Sequence, residues 1–74
     1  MERENWGRRI RAFRKLKGYT QKELADLLEV SVSVLGEVER GNRLPTNEML
    51  KRISEILKID IDELRPDSND HFAL

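Results

Sequence analysis

Apolar residues recur at helical spacing along most of this 74-residue chain, and no long stretch alternates as a strand would. In the first segment Trp6, Ile10, Phe13 and Leu16 or Lys17 fall on one face of a helix. The opposite face is basic and carries Arg8, Arg11, Arg14 and Lys15. This pattern predicts an amphipathic helix that ends at Gly18, a residue suited to a left-handed helix end.

Two helix-start signals stand close together in the next segment, TQKELADLLEVSVSVLGEVERG. Thr20 and Glu23 form a T-x-x-E capping box, and Ser31 is the next N-cap candidate. The buried side of the first of these helices is predicted to comprise Leu24, Ala25, Leu27 and Leu28. So few residues remain for the turn that the two helices should meet at a steep angle, as in a helix-turn-helix.

Two further helices are predicted in the C-terminal half of the chain. Thr46 caps the fourth helix, whose apolar stripe comprises Met49, Leu50, Ile53, Ile56 and Leu57. Asp60 and Glu63 form a D-x-x-E capping box for a short fifth helix that ends near Leu64, before Pro66. The pattern therefore predicts an all-α protein, a compact five-helix bundle.

Length and composition fit one small domain. We predict that residues 1–66 form it and that residues 67–74 are a C-terminal tail, either flexible or docked at a dimer interface. The chain has no cysteine and a single histidine, His71, so we predict no metal site and no cofactor. No nucleophile–base set or glycine-rich phosphate loop is present, which indicates a protein that is not an enzyme.

No apolar run is long enough to span a bilayer and the N-terminus lacks a signal-peptide pattern, so we expect a cytoplasmic protein with no membrane partner. The net charge is zero, but its distribution is uneven. Residues 1–17 carry seven basic and two acidic side chains, whereas residues 46–74 carry four and seven. An anionic partner would therefore be attracted to the first helix and repelled by the C-terminal third.

In order and identity these residues resemble the phage-repressor and Cro type of helix-turn-helix domain, also called the XRE family. The resemblance covers about residues 6–64. It is carried by Ile10, Phe13, Lys17, Gly18, Tyr19, Thr20, Gln21, Glu23, Leu24, Ala25, Val30, Ser31, Leu35, Val38, Glu39, Arg40, Gly41, Pro45, Leu50, Ile53, Leu57 and Leu64. It implies a lambda-repressor-like fold in which helices 2 and 3 form the helix-turn-helix. It also places Glu29 in the turn, at a position where family members commonly have glycine and the backbone is left-handed.

The resemblance further implies a sequence-specific, double-stranded DNA-binding transcriptional regulator, a repressor, with helix 3 in the major groove and helix 2 across the backbone. The implied phosphate contacts are Thr20, Gln21, Arg40, Asn42 and Arg43, with Lys22 and the basic face of the first helix adding longer-range attraction. Three of these side chains have a purely structural alternative. Thr20 caps its helix in either case, Gln21 could be an ordinary first-turn residue, and Arg40 could pair with Glu37 or Glu23.

The implied base-reading positions are Val32, Ser33 and Glu37, with Ser31 and Val34 beside them. Their chemistry is sparse, because the valines can touch thymine methyl groups and Glu37 can accept from cytosine, but no side chain makes a bidentate contact to guanine or adenine. Helix 3 could therefore read shape, or it could be a protein-binding surface. Gly36 costs about 1 kcal/mol inside a helix, and the sequence leaves open whether DNA, helix 2 or nothing passes close to it.

We expect a homodimer on a two-fold operator, with no small-molecule effector domain. The predicted dimer surface comprises Ile59, Ile61, Leu64, Phe72 and Leu74. The compact form also looks like controller proteins of restriction-modification systems and like single-domain plasmid or phage regulators. The alternative is a protein-interaction module, such as an antitoxin or an anti-repressor-like factor, that binds a protein partner through the helix-turn-helix surface or the tail.

Overall fold

The computed structural model describes residues 2–65, with side chains described from Trp6 onward. Over this range the chain forms four α-helices and a 3₁₀ helix, and no strand. The helices are α1 (Glu2–Leu16), α2 (Gln21–Leu28), α3 (Val32–Glu39), α4 (Asn47–Leu57) and the 3₁₀ helix (Ile61–Leu64). The prediction of an all-α fold is confirmed for these residues, and the predicted tail of residues 67–74 lies outside them.

The predicted helix starts are confirmed atom by atom. The Thr20 hydroxyl accepts from the Glu23 amide at 3.0 Å, and the Glu23 carboxylate accepts from the Thr20 amide at 2.8 Å. The Ser31 and Thr46 hydroxyls accept from the amides three residues later, each at 3.1 Å. Each cap satisfies amide groups that have no partner inside their own helix, and this sets where α2, α3 and α4 begin.

The predicted fifth helix is wrong as an α-helix. Asp60 makes no side-chain capping bond, and the segment is closed by short i to i+3 bonds, from the Glu63 amide to Asp60 and from the Arg65 amide to Asp62. Pro66 follows Arg65, and a residue before proline is pushed out of the helical region; Arg65 has the extended angles φ −72° and ψ 132°. Four residues between these limits are too few for a stable α-helix, so the chain makes a single 3₁₀ turn.

The core lies where α1, α2, α3, α4 and the 3₁₀ helix converge. Its buried apolar members are Ile10, Leu24, Ala25, Leu28, Leu35, Val38, Leu50, Ile53, Leu57 and Leu64. The side chain of Arg9 ties the 3₁₀ helix to α1, because its Nε donates to the carbonyl oxygen of Glu63 at 2.7 Å. In the described residues no helix is long and apolar enough to cross a bilayer, and no cluster of acidic or histidine side chains could hold a metal ion.

Three apolar predictions are corrected by the packing. Leu27 was expected in the core but is 47% exposed, because the buried face of α2 is narrower than the apolar run. Leu16, also on the apolar side of α1 by spacing, is 75% exposed at the end of that helix. Leu64 is fully buried in this single chain, so it cannot supply exposed area to the predicted dimer surface.

Gly7 marks the closest approach between α1 and α3 that the structure reveals. A Cβ built on Gly7 would lie 2.7 Å from the carbonyl oxygen of Glu39 and closer still to that of Val38. These are backbone atoms, so no side-chain rearrangement could make room. The missing side chain therefore lets α1 pack directly on the C-terminal end of α3, which holds that helix in place.

Candidate nucleic-acid interface

The turn between α2 and α3 has the left-handed backbone that the resemblance implied. Glu29 has φ 62° and ψ 39°, and its amide donates to the carbonyls of Ala25 and Asp26. The amide of Val30 also donates to Ala25, at 3.0 Å. These bonds close the end of α2 and redirect the chain into α3 within three residues, at a local cost of roughly 1 kcal/mol because Glu29 carries a Cβ.

Helix α3 is buried along one side and exposed to solvent at its N-terminal end. Leu35 and Val38 are fully buried in the core. Val32 and Ser33 are exposed, and Val34 is half-buried. Two of the predicted base-reading positions are therefore accessible on a helix that the core holds rigidly from behind.

A buried ion pair joins α1 to α3. Arg14 Nε donates to Glu39 Oε2 at 2.7 Å and Arg14 Nη2 donates to Glu39 Oε1 at 3.1 Å, with side chains only 8% and 2% exposed. Arg14 Nη1 also donates to the carbonyl of Tyr19 at 2.9 Å. The assignment of Arg14 to the exposed basic face is therefore wrong, because its fork fits a carboxylate that α3 presents to α1.

Gln21 is held in this same network. Its side-chain Nε2 donates to Glu39 Oε1 at 3.1 Å, which links the first turn of α2 to the end of α3. A predicted phosphate contact thus has a structural partner in the protein. Because an amide nitrogen carries two hydrogens, Gln21 keeps one donor for a further acceptor.

The predicted base reader Glu37 and the predicted phosphate contact Arg43 bind each other. Arg43 Nε and Nη2 both lie 2.8 Å from Glu37 Oε1, and the side chains are 53% and 40% exposed, respectively. Arg43 therefore has a structural role, the ion pair with Glu37, as an alternative to phosphate contact, and the sequence had suggested no such alternative. The two suggested partners of Arg40 are engaged elsewhere, since Glu37 pairs with Arg43 and Glu23 caps α2.

The remaining candidates lie on the outside of the motif. Thr20 and Ser31 are exposed N-cap residues, and Lys22 forms an exposed pair with Asp26 at 3.3 Å. Arg40 and Asn42 are exposed after the end of α3. Ile59 is half-buried and Ile61 is 37% exposed, whereas Phe72 and Leu74 of the predicted dimer surface lie outside the described residues.

Sequence comparison places the motif among known proteins. Residues 10–64 match the helix-turn-helix family HTH_3. The chain is 61% identical over 66 residues to YazB of Bacillus subtilis, an uncharacterized HTH-type transcriptional regulator, covering 89% of this chain and 96% of YazB. The segment that matches the family includes the buried network, the turn and α3.

Two solved structures are similar in both fold and sequence. One is the restriction-modification controller protein C.AhdI from Aeromonas hydrophila, with a TM-score of 0.77 and 34% identity over 82% of this chain and 92% of that one. The other is SinR, a master regulator for biofilm formation, in complex with DNA, with a TM-score of 0.74 and 35% identity. That match covers 80% of this chain and 95% of the SinR chain.

Proposed function

Because this chain belongs to the helix-turn-helix family, we propose that it is a sequence-specific regulator of transcription, a repressor, that binds double-stranded DNA as a dimer in the cytoplasm. The observation that carries the proposal is the presentation of α3. Its inner side is fixed by Leu35 and Val38, and Val32 and Ser33 stand exposed at the end that enters the major groove in this motif. The DNA complex of the related SinR supports the same partner.

The proposed phosphate contacts flank α3 on both sides. Gln21 is at the first turn of α2, and Arg40, Asn42 and Arg43 are exposed after α3. Amide and guanidinium donors are suited to phosphate oxygens, and such contacts set position without reading sequence. The Lys22 side chain is 76% exposed and forms an ion pair with the exposed Asp26, so it can add long-range attraction.

Specificity is proposed to come from one carboxylate and a small apolar surface. Glu37 would accept from a cytosine amino group, and Val32 would contact a thymine methyl. Arg43 holds one oxygen of Glu37, which leaves the other oxygen available and limits the directions in which the carboxylate points. The remaining discrimination would come from DNA shape and deformability.

Selection of bound duplexes from a random pool tests this function directly. We expect the full chain to enrich a two-fold sequence whose half-sites lie about one helical turn apart. Glu37→Ala should change the preferred base at one position of each half-site while leaving affinity for random DNA nearly unchanged. Enrichment of no sequence by the unaltered chain would reject the proposal, and an unchanged preference in Glu37→Ala would reject the placement of α3.

The exposed apolar residues support a second candidate, a protein-interaction module. Leu44 is 51% exposed and Val32 is 42% exposed, and a protein partner could cover this apolar area. The salt dependence of binding to random DNA separates the candidates. A DNA regulator with several phosphate contacts should lose affinity steeply between about 50 and 200 mM salt, whereas a protein-binding module should show no retention on DNA at low salt.

A further inference from the structure

A surface cleft of about 470 Å³ lies where α1, α2 and the end of α3 meet. Its lining residues are Arg11, Arg14, Gln21, Glu39 and Arg40. The cleft adjoins the proposed DNA-contacting surface, because Gln21 and Arg40 belong to both. Arg11, by contrast, belongs to the basic face of α1, which sequence reasoning expected to supply only longer-range attraction for DNA.

The cleft carries an excess of positive charge. Glu39 is its single acidic lining residue, and both of its oxygens are taken up by Arg14 and Gln21. The buried pair with Glu39 neutralises Arg14. Arg11 and Arg40 are exposed, and within the described part of the chain neither guanidinium has a hydrogen-bond or ion-pair partner.

Gly36 explains how Arg40 reaches this cleft. A Cβ on Gly36 would lie 2.9 Å from Arg40 Nη1 and 3.7 Å from Gln21 Nε2. The missing side chain therefore lets the Arg40 guanidinium lie against α3 beside Gln21. A Cβ at position 36 would displace Arg40 from the cleft, and because the Arg40 side chain is flexible this displacement would cost the fold little energy.

We propose that this cleft binds one DNA backbone phosphate, with Arg11 and Arg40 as its charged donors and the second hydrogen of Gln21 Nε2 as its neutral donor. The inference rests on the proposed function and adds two elements to it. Arg11 of α1 becomes a phosphate contact, and Gly36 becomes the residue that seats Arg40. Two guanidinium groups and an amide suit a phosphate oxygen cluster, since guanidinium pairs with phosphate in a bidentate manner.

The first test compares Arg11→Ala with Arg8→Ala. Arg8 is also an exposed arginine on α1 but does not line the cleft, so it controls for the loss of one charge from the helix. The affinity of the full chain for one duplex is measured from about 50 to 200 mM salt. Arg11→Ala should reduce the slope of log affinity against log salt by about 1, uniformly across DNA sequences, and Arg8→Ala should reduce it less. Equal reductions in the two variants would overturn the assignment of Arg11.

The second test uses inorganic phosphate and does not depend on DNA binding. At constant ionic strength, the NMR signals of the Arg11 and Arg40 Nε–H groups and of the Gln21 side-chain amide should shift saturably with phosphate. In Arg11→Ala the Arg40 and Gln21 signals should shift less. The absence of a saturable shift overturns the site even if the chain binds DNA. A saturable shift in a chain that does not bind DNA overturns both the DNA assignment and the proposed function.

The third test addresses Gly36. Gly36→Ala should weaken DNA binding when Arg40 is present and should have no further effect in an Arg40→Ala background. This dependence distinguishes displacement of Arg40 from a general disturbance of α3. Equal losses in both backgrounds would show that Gly36 acts through something other than Arg40.

Discussion

Gly7 and Gly36 both lie inside helices, yet their surroundings differ in what a methyl group would meet. At Gly7 the nearest atoms are the backbone carbonyls of Val38 and Glu39, which belong to the fixed end of α3. At Gly36 the nearest atom is the end of the Arg40 side chain. Alanine should therefore destabilise the fold at position 7 but not at position 36.

Gly7→Ala is expected to lower the free energy of unfolding by about 2 kcal/mol, because the cost of forcing α1 and α3 apart exceeds the gain of about 1 kcal/mol in helix propensity. Urea unfolding measures the change. Gly36→Ala is the matched control and should leave stability unchanged or raise it by up to about 1 kcal/mol. A Gly7→Ala variant as stable as the unaltered protein would show that the helices do not cross at this point.

Arg43 pairs with Glu37, so removing Arg43 should alter both binding strength and base preference. Arg43→Ala is expected to weaken binding to all sequences and to relax the preference at the position that Glu37 reads, since the carboxylate is no longer oriented. Selection from a random pool measures the preference, and the salt slope measures the lost charge. Asn42→Ala is the control, because Asn42 is also exposed after α3 and its bond to Glu37, from backbone amide to backbone carbonyl at 2.8 Å, is kept by alanine; it should leave the preference intact.

At the scale of the helix, local chemistry was sufficient to predict where α2, α3 and α4 begin. A Thr or Ser cap acts on an amide three residues away, so its partner is visible in the sequence itself. The role of Arg14 depends on Glu39, 25 residues further on, and could not be obtained from the pattern of one helix. A signal was nevertheless present, because Arg14 continues the Trp6–Ile10 stripe at i+4 spacing, as a core-facing residue would.

The same limit explains the misassigned leucines and the missed role of Gly7. An apolar residue at helical spacing can face the core or lie beyond its edge, and only the neighbouring helix decides which. Leu16 and Leu27 lie at such edges, whereas Leu64 is covered. The candidate DNA-contacting residues did not depend on such packing, because the resemblance to the family supplied them directly. The pairing of Glu37 with Arg43, in contrast, could be seen only in the structure.

Two helix ends hold non-glycine residues in the left-handed region, Glu29 with φ 62° and Lys58 with φ 58°. A Cβ in this conformation costs about 1 kcal/mol or more, and glycine avoids it. Glu29→Gly and Lys58→Gly should each raise the free energy of unfolding by about 0.5–1 kcal/mol, as judged by urea unfolding. Glu55→Gly, at an exposed position inside α4, is the control and should lower it by about 1 kcal/mol. Destabilisation by all three substitutions would mean that the left-handed ends are not strained.

For the whole molecule, the network around Glu39 joins three helices at the point where the proposed DNA surface begins. It connects Arg14 of α1, Gln21 of α2 and Glu39 of α3 through charge-assisted bonds of 2.7–3.1 Å. A buried pair of this kind is weak evidence for added stability, because desolvation offsets much of the attraction. Its clearer consequence is geometric, since α1 and the end of α3 cannot separate without leaving two buried charges unpaired, and the first turn of α2 cannot leave α3 without breaking the Gln21–Glu39 bond.

Glu39→Ala should therefore lower the free energy of unfolding by about 3–5 kcal/mol, because the Arg14 guanidinium stays buried without its acceptor. The double variant Arg14→Met with Glu39→Leu removes both charges and should lose much less stability than the single variants Arg14→Met and Glu39→Leu lose together. Asp26→Ala breaks the exposed Lys22 pair and should change stability by no more than about 1 kcal/mol. Urea unfolding of the unaltered protein, the single variants Arg14→Met and Glu39→Leu, and the double variant completes the cycle. If the double variant lost the full sum, Arg14 and Glu39 would stabilise the fold independently, and the coupling between α1 and α3 would have to come from the Gly7 contact and the apolar core.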